Sequence, residues 1–193
     1  MPYTLLVLLV LFTWTTLSAV VGPSATPVTV AAVGMNGDPR PTPKGEIREK
    51  VTIPEFVDAE FDGVEVSRTD KEWKKLLAAD TFEIMRKDGT ESAYTGALLK
   101  NHKHGIYYCA ACKLALFRSS AKYDSQTGWP SFFEPIYKKN VVEKEDRTLG
   151  EVRTEVECAR CHGHLGHVFD DGPKPTGLRY CMNSAALVFK PTK

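Results

Sequence analysis

Two short stretches, Cys109-Ala110-Ala111-Cys112 and Cys158-Ala159-Arg160-Cys161, decide how this chain folds. Each is a Cys-x-x-Cys hook that follows a segment of strand-favouring residues, so each thiol pair lies where a strand turns. Zn²⁺ takes four thiolates at about 2.3 Å, and the two hooks supply four from two turns. We therefore predict a structural zinc site with a closed coordination shell at Cys109, Cys112, Cys158 and Cys161.

Two other interpretations of the hooks stay open. An exported chain meets an oxidising environment, where the same cysteines can form disulfides. One pair could also be redox-active, but such motifs lower a thiol pKa with a following helix, and neither hook is followed by a helical pattern. The spacing favours zinc over both.

Composition predicts one domain with an appendage. The chain has 193 residues, of which 42% are hydrophobic, enough for a packed core. Its formal net charge is +1. A near-neutral chain has no overall field to attract nucleic acid or an anionic bilayer, so we expect no nucleic-acid partner.

The N-terminus is expected to direct export. Residues 1–22 carry no charged side chain and centre on the apolar run from Leu5 to Phe12. This run is short for a membrane span, so we predict a signal peptide, with a membrane anchor or a buried N-terminus as alternatives. Residues 23–45 are rich in Pro, Thr, Ala and Gly and predict a flexible linker. The folded domain should cover 46–193, in the secretory pathway or periplasm, or tethered to a membrane outside the cytosol.

Helices are expected first and strands later. Ser67 to Lys87 has a helical pattern with capping residues at its start, and a second short helix should cover Thr81 to Arg86. Ser119 to Pro135 reads as a long ordered loop. The predicted strands are Ile106 to Tyr108, Leu114 to Phe117, Val152 to Val156 and Ala185 to Phe189. This order predicts a mainly β, α+β domain with little parallel sheet.

The fifth cysteine, Cys181, has informative neighbours. On an extended segment Arg179, Cys181 and Asn183 share one face, while Tyr180 and Met182 point away. A guanidinium favours a thiolate over a thiol, and an amide can donate to an oxygen or hold a water. The alternative is a buried thiol that acts only as a small hydrophobic residue.

Three histidines follow the second hook. Simple alternation would place His164 and His167 on opposite faces of a strand, so both can aim at one site only if Gly163 or Gly166 bends it. His162 is expected to be a structural or solvent-facing residue.

Five motifs together resemble the B-type methionine sulfoxide reductases. They are the two hooks, Gly128-Trp129-Pro130-Ser131-Phe132, the segment from His164 to Gly172, and Arg179-Tyr180-Cys181-Met182-Asn183-Ser184. The likeness runs from about Asp80 to Phe189. It implies two small antiparallel sheets, a structural zinc and reduction of the R epimer of methionine sulfoxide in oxidised proteins.

The resemblance also implies roles for individual residues. Cys181 would attack the sulfoxide sulfur and become a sulfenic acid. His164, His167 and Asn183 would supply hydrogen-bond donors to the sulfoxide oxygen. Trp129, Asp171 and Arg179 would line the substrate site: Trp129 as an apolar wall for the substrate methyl, and Asp171 to orient a histidine or complete the polar side.

The sequence departs from part of this family at Thr127. Many members carry a resolving cysteine at this position, two residues before the tryptophan. With four cysteines on zinc, no second thiol remains, so we expect a thioredoxin-like or glutaredoxin-like protein or a small thiol to recycle the sulfenic acid. Two alternatives to an enzyme are a zinc-ribbon binding module and an inactive adaptor with the same scaffold.

Overall fold

The computed structural model describes residues 52–148 and 150–192. Two helices, α1 (Asp70–Leu76) and α2 (Ala79–Lys87), precede nine strands. The strands are β1 (Gly105–Cys109), β2 (Ala115–Arg118), β3 (Lys122–Tyr123), β4 (Ser131–Phe132), β5 (Val141–Asp146), β6 (Arg153–Cys158), β7 (His164–Phe169), β8 (Arg179–Met182) and β9 (Leu187–Pro191).

The helices begin and end where local chemistry dictates. Thr69 is the N-cap of α1: its hydroxyl accepts from the backbone N–H of Glu72, whose carboxylate accepts from the Thr69 N–H in return. Helix α2 ends at Asp88, which adopts the left-handed conformation that closes many helices. Its inner face buries Phe82, Ile84 and Met85, so α2 is anchored by hydrophobic contacts on the core.

The strands form two antiparallel sheets. The smaller has the order β2-β1-β9, and the larger has the order β3-β4-β8-β7-β6-β5. Phe117 of the small sheet stacks on Phe132 of the large one with ring centroids 4.4 Å apart, and Tyr107 meets Phe132 edge-on at 5.0 Å. These aromatic contacts join the sheets into one core and confirm the predicted mainly β fold with two antiparallel sheets and short N-terminal helices.

The segment before α1 is held against both hooks. Val57 donates its N–H to the carbonyl of Lys113 and accepts from the N–H of Ala115, beside the first hook. Val66 donates its N–H to the carbonyl of Arg160 in the second hook. Val57 and Val66 therefore fix the described residues before α1 to the turns that carry the cysteines.

Several predicted elements need correction. The two predicted helices are present as α1 and α2, but α2 begins at Ala79 and ends at Lys87 instead of covering Thr81 to Arg86. The stretch from Ser119 to Pro135, expected to be a loop, contains the two-residue strands β3 and β4. The predicted strand from Ala185 to Phe189 begins later, because residues 184–186 form a helical turn. Strand β5 was not predicted, since its exposed Glu143-Lys144-Glu145 stretch lacks alternating apolar residues.

The predicted leader (1–22) and linker (23–45) lie outside the described residues. Within residues 52–148 and 150–192, no helix has the length and apolar character needed to cross a bilayer.

Candidate active site

The two hooks bring four sulfur atoms together. The Sγ atoms of Cys109, Cys112, Cys158 and Cys161 all lie within 4.8 Å of one another. The Cys109–Cys161 distance is 3.6 Å and the Cys112–Cys158 distance is 3.5 Å. A disulfide needs about 2.05 Å, whereas a tetrahedron with 2.3 Å metal–sulfur bonds has edges of about 3.8 Å. All five cysteines are free, and the cluster fits a metal ion, not disulfides.

Both hooks are built in the same way. The N–H of Lys113 donates to the carbonyl of Cys109, and the N–H of His162 donates to that of Cys158. Lys113 and His162 each have positive φ, at 62° and 53°, as the tight turn requires. The Arg86 guanidinium adds hydrogen bonds to the carbonyls of Cys161 and His162. The hooks are thus preorganised by backbone and side chain.

The four clustered cysteines can all be ionised at once only if a cation offsets their charge. Burial raises the pKa of Cys158, and the Cys109 and Cys112 sulfurs raise the pKa of Cys161. A divalent ion would lower these raised pKa values, because the positive charge of a metal stabilises its thiolate ligands.

Cys181 lies outside this cluster, in a pocket on the large sheet. The pocket has a volume of about 170 Å³. It is lined by Thr90, Trp129, Arg153, Gly166, His167, Phe169, Cys181 and Asn183. A larger groove of about 680 Å³ between α2 and β9 holds no thiol or imidazole, so size alone does not identify the reactive site.

Register places a histidine beside the thiol. Cys181 on β8 pairs with His167 on β7 and, on its other side, with Ser131 on β4. Directly paired residues point to the same face of a sheet. The thiol, the imidazole and the hydroxyl therefore share one face, and Cys181 is only partly buried, unlike the hook cysteines.

A bulge in β7 turns the two histidines to one side. Val156 pairs with Gly166 and Glu157 pairs with His164, so Leu165 is an extra residue. The His164 and His167 ring centroids are only 5.4 Å apart. The bend next to Gly166 therefore brings both imidazoles to one side of the strand.

His164 and His167 each form a hydrogen bond with a different carboxylate. Nδ1 of His164 lies 2.6 Å from Glu155 Oε1, and Nε2 of His167 lies 2.9 Å from Asp146 Oδ2. A carboxylate can only accept, so these nitrogens carry the hydrogens. Among the described residues, the buried Nε2 of His164 has no hydrogen-bond partner. This nitrogen is therefore available for a further hydrogen bond.

Asp146 is the centre of a small network. It accepts from Arg153 and from both the N–H and the hydroxyl of Thr148 as well as from His167. The Thr148 hydrogen bonds, followed by those of His167 and Arg153, lower the pKa of Asp146. Burial lowers the pKa of His167, although Asp146 opposes this shift.

Asp171 binds Arg179 and not a histidine. Its two oxygens accept from Nε and Nη2 of Arg179 at 2.8 and 2.9 Å, and this pairing lowers the pKa of Asp171. The Arg179 guanidinium also covers the Phe169 ring at 4.3 Å. Of the two roles expected for Asp171, orienting a histidine is taken by Asp146. Asp171, Arg179 and His164 lie outside the pocket lining.

Asn183 and Trp129 are held through Glu91. Asn183 donates through Nδ2 to the carbonyl of Leu165 and accepts from the N–H of Glu91. The Glu91 carbonyl accepts from Nε1 of Trp129 at 3.1 Å. Its carboxylate accepts from the N–H groups of Ser184 and Ala185. Glu91 thus fixes both pocket residues to the turn after β8.

The structure places other expected residues as follows. Trp129, His167, Cys181 and Asn183 line one pocket. His162 is exposed, with Nε2 3.2 Å from Glu65 Oε1, which corresponds to the solvent-facing of its two expected placements. Sequence reasoning assigned no role to Asp146, Glu155 or Glu91. The stretch Gly89-Thr90-Glu91 is part of the likeness to the reductase family but was not linked to the site, and no local signal singles out Asp146 on β5 or Glu155 on β6.

Comparison with known proteins places these features in one family. The SelR domain model matches residues 77–191. The chain is 55% identical over 127 residues to the peptide methionine sulfoxide reductase MsrB of Leptospira interrogans serogroup Icterohaemorrhagiae serovar Lai, covering 65% of this chain and 96% of that protein. It is 55% identical over 124 residues to the MsrB of Thiobacillus denitrificans (64% and 94%). The MsrB of Acinetobacter baumannii is 53% identical over 125 residues (65% and 90%). This chain therefore belongs to the SelR domain family, that of the B-type peptide methionine sulfoxide reductases.

Proposed function

We propose that this protein reduces the R epimer of methionine sulfoxide in oxidised proteins, with Cys181 as the nucleophile. The observation that carries the proposal is the pairing of a partly exposed Cys181 with His167 in a small pocket walled by Trp129. A thiol needs access to react, and the four hook cysteines are buried. The relatives named above act on peptide methionine sulfoxide, which fits this pocket.

The reaction balances on one thiol. The Cys181 thiolate sulfur bonds to the sulfoxide sulfur while the protonated oxygen leaves as water. A water molecule then attacks the Cys181 sulfur, and the sulfur–sulfur bond breaks with its electron pair going to the methionine sulfur, which leaves Cys181 as sulfenic acid. The sulfoxide sulfur gains two electrons and the cysteine sulfur loses two. The oxygen leaves easily only if it is protonated, and His167 is placed to deliver that proton when its Nδ1 is protonated.

The indole of Trp129 supports the proposed substrate. Its ring is half-buried and held by the hydrogen bond to Glu91, so it can present a fixed apolar surface to the methyl group of the substrate. Asn183 lies at the polar side of the pocket, where its remaining amide hydrogen is available to the sulfoxide oxygen.

Recycling is proposed to use an external thiol. A sulfenic acid and two thiols give back the Cys181 thiol, one disulfide and water. The other four cysteines belong to the metal cluster, so the reductant is a thioredoxin-like protein, a glutaredoxin-like protein or a small thiol.

We further propose that the metal is zinc and that its role is structural. Four thiolates complete a tetrahedral shell, leaving no position for substrate. When bound, the ion would offset part of the negative charge of the four thiolates and would cross-link the turns after β1 and β6. The hooks thereby hold the small sheet to the large one.

We also propose that the protein works outside the cytosol, released or tethered by its N-terminus. The support is the uncharged apolar segment 1–22 followed by the Pro-rich segment 23–45.

The test is an assay with separated R and S epimers of a methionine sulfoxide peptide, a dithiol reductant and zinc quantified in the same sample. We expect the wild-type protein to consume only the R epimer, and Cys181→Ser to lose activity while keeping its zinc and fold. Activity in the Cys181→Ser variant would point to another nucleophile. A zinc-bound but inactive wild-type protein would favour the binding-module or adaptor alternatives.

A further inference from the structure

A chain of hydroxyl groups ends at the Cys181 sulfur. Thr127 Oγ1 lies 3.7 Å from Cys181 Sγ and 2.8 Å from Ser125 Oγ. Ser125 Oγ lies 2.7 Å from Ser131 Oγ, and Ser131 lies 3.2 Å from the carbonyl oxygen of Trp129. Four side chains and one carbonyl therefore form a continuous path.

The far end of the path sets its direction. Each hydroxyl has one proton to donate, and a carbonyl can only accept. When Ser131 donates to Trp129, Ser125 donates to Ser131 and Thr127 donates to Ser125. Thr127 can then only accept from the Cys181 thiol. In this state every proton points away from the sulfur.

A negative charge on the sulfur reverses the path. Thr127 then donates to the sulfur, Ser125 donates to Thr127 and Ser131 donates to Ser125, while the Trp129 carbonyl loses one donor. A hydrogen bond to an ionised acceptor is roughly twice as strong as a neutral one, so the reversal is favourable once the charge exists. Ser131 is fully buried and pairs with Cys181 across β4–β8, which keeps the path in place.

We propose that Thr127 is a further catalytic residue, whose hydroxyl donates a hydrogen bond to Cys181 when its sulfur is ionised, and that Ser125 and Ser131 re-orient to permit this. The proposal rests on the proposed function, because it takes Cys181 as the nucleophile. It assigns Thr127 to the reacting sulfur, while His167, which pairs with Cys181 from strand β7, serves the substrate oxygen.

The Arg179 guanidinium and the Tyr123 hydroxyl lie near enough to Cys181 to interact with it electrostatically, but no described hydrogen bond joins either group to its sulfur. Arg179 contributes a positive charge near the sulfur, and its guanidinium is committed to Asp171. The Thr127 hydroxyl is the one neutral side-chain donor that the described residues place within hydrogen-bond distance of Cys181. A direct donor at this position stabilises both the thiolate and the oxygenated sulfur that follows it.

The first test is the rate of Cys181 alkylation by iodoacetamide at pH 7, followed by mass spectrometry on the zinc-loaded full chain without substrate. Thr127→Val keeps the shape and removes the hydroxyl, and we expect alkylation to slow about tenfold. Thr127→Ser restores the donor and should stay within about twofold of wild type. Thr95→Val is the matched control, because its hydroxyl donates to Ser92 away from the pocket, and it should react at the wild-type rate.

The second test asks whether Ser125 affects Cys181 through Thr127 or whether the contact between Thr127 and Cys181 acts alone. Ser125→Ala frees the Thr127 proton, so alkylation should be at least as fast as in wild type. Ser125→Ala should add no further change to Thr127→Val, because Ser125 acts only through Thr127. Wild-type rates in Thr127→Val, or a further slowing in the double variant, would overturn the proposal.

Two controls distinguish a loss of the hydroxyl group from a loss of the fold. Zinc content and near-ultraviolet circular dichroism report the fold, and Thr127→Ala replaces Thr127→Val if the valine variant is not folded. Because alkylation needs no substrate, a normal Thr127 effect in a protein that fails the epimer assay would reject the proposed function and leave the hydroxyl path intact.

Discussion

Cys181 and His167 face each other as register partners in the β7–β8 ladder. Their side chains leave the same face of the sheet, with Cβ atoms about 5 Å apart as in other antiparallel pairs. A nucleophile and a proton donor at this separation can reach the two atoms of one sulfur–oxygen bond. The ladder therefore fixes the geometry of the proposed reaction more directly than any loop does.

The first prediction concerns Asp146, which positions His167. Asp146 raises the pKa of His167 against the lowering effect of burial. Asp146→Asn should lower that pKa further, so less His167 is protonated at any given pH. If protonated His167 delivers the proton, activity falls as pH rises through its pKa, and in the variant this fall moves to lower pH. At pH 7 we expect kcat/KM to drop about tenfold.

The measurement is kcat/KM between pH 5 and 9 for the wild type and the variant. Glu145→Gln is the control, since among the described residues the neighbouring Glu145 forms an ion pair with the exposed Arg147 and none with His167. Superimposable pH profiles for wild type and Asp146→Asn would show that His167 does not depend on Asp146.

The second prediction concerns Gly166, beside the bulge. A Cβ at this position would overlap the carbonyl oxygen of Cys181, which is backbone and cannot move aside cheaply. Gly166→Ala should therefore separate β7 from β8, abolish activity and destabilise the fold by about 3 kcal/mol. A Cβ at Gly163 would meet mainly the flexible end of Met85, so Gly163→Ala should cost about 1 kcal/mol and keep most activity. Urea unfolding and activity of the two variants check this, and equal effects would contradict it.

Features within one segment could be predicted from the sequence, whereas features that depend on the register between strands could not. The hooks, the face shared by Cys181 and Arg179, and the need for a bend near Gly166 all follow from spacing along one segment. Asp146 and Glu155 reach the histidines only because β5, β6 and β7 pair in one particular register. Such long-range pairing is not encoded in any local pattern, so the carboxylates behind the histidines could not be assigned in advance.

The third prediction concerns Glu91, which holds Trp129 and Asn183 without lining the pocket. Glu91→Gln replaces one carboxylate oxygen by an amide group facing the N–H of Ser184 or Ala185, leaving a donor without an acceptor. We expect a loss of about 1–3 kcal/mol in unfolding free energy. Because Trp129 loosens, KM should rise more than kcat falls. Glu60→Gln, at an exposed ion pair with Lys139, is the control and should change neither the unfolding free energy nor KM. An unchanged KM in Glu91→Gln would show that its backbone alone holds Trp129.

The fourth prediction concerns the metal cluster. Cys158→Ser should remove one of four ligands, lower the bound zinc below one ion per chain and abolish cooperative thermal unfolding, because such sites supply folding energy directly. Cys181→Ser, which leaves the cluster intact, is the matched control and should keep zinc and its melting temperature. Calorimetry together with metal analysis checks both. A zinc-free Cys158→Ser protein that melts like wild type would show that the aromatic contacts between the sheets suffice.

The last prediction concerns the oxidised enzyme. After one turnover with a peptide sulfoxide and no reductant, Cys181 should carry a single oxygen atom and react with a sulfenic-acid probe, because the other four thiols are bound in the cluster. Zinc should stay bound, and intact-protein mass spectrometry should find no disulfide. Cys181→Ser treated in the same way should take up neither oxygen nor probe. A disulfide between Cys181 and a hook cysteine, accompanied by zinc release, would instead show that the cluster opens during turnover and serves as the source of the resolving thiol.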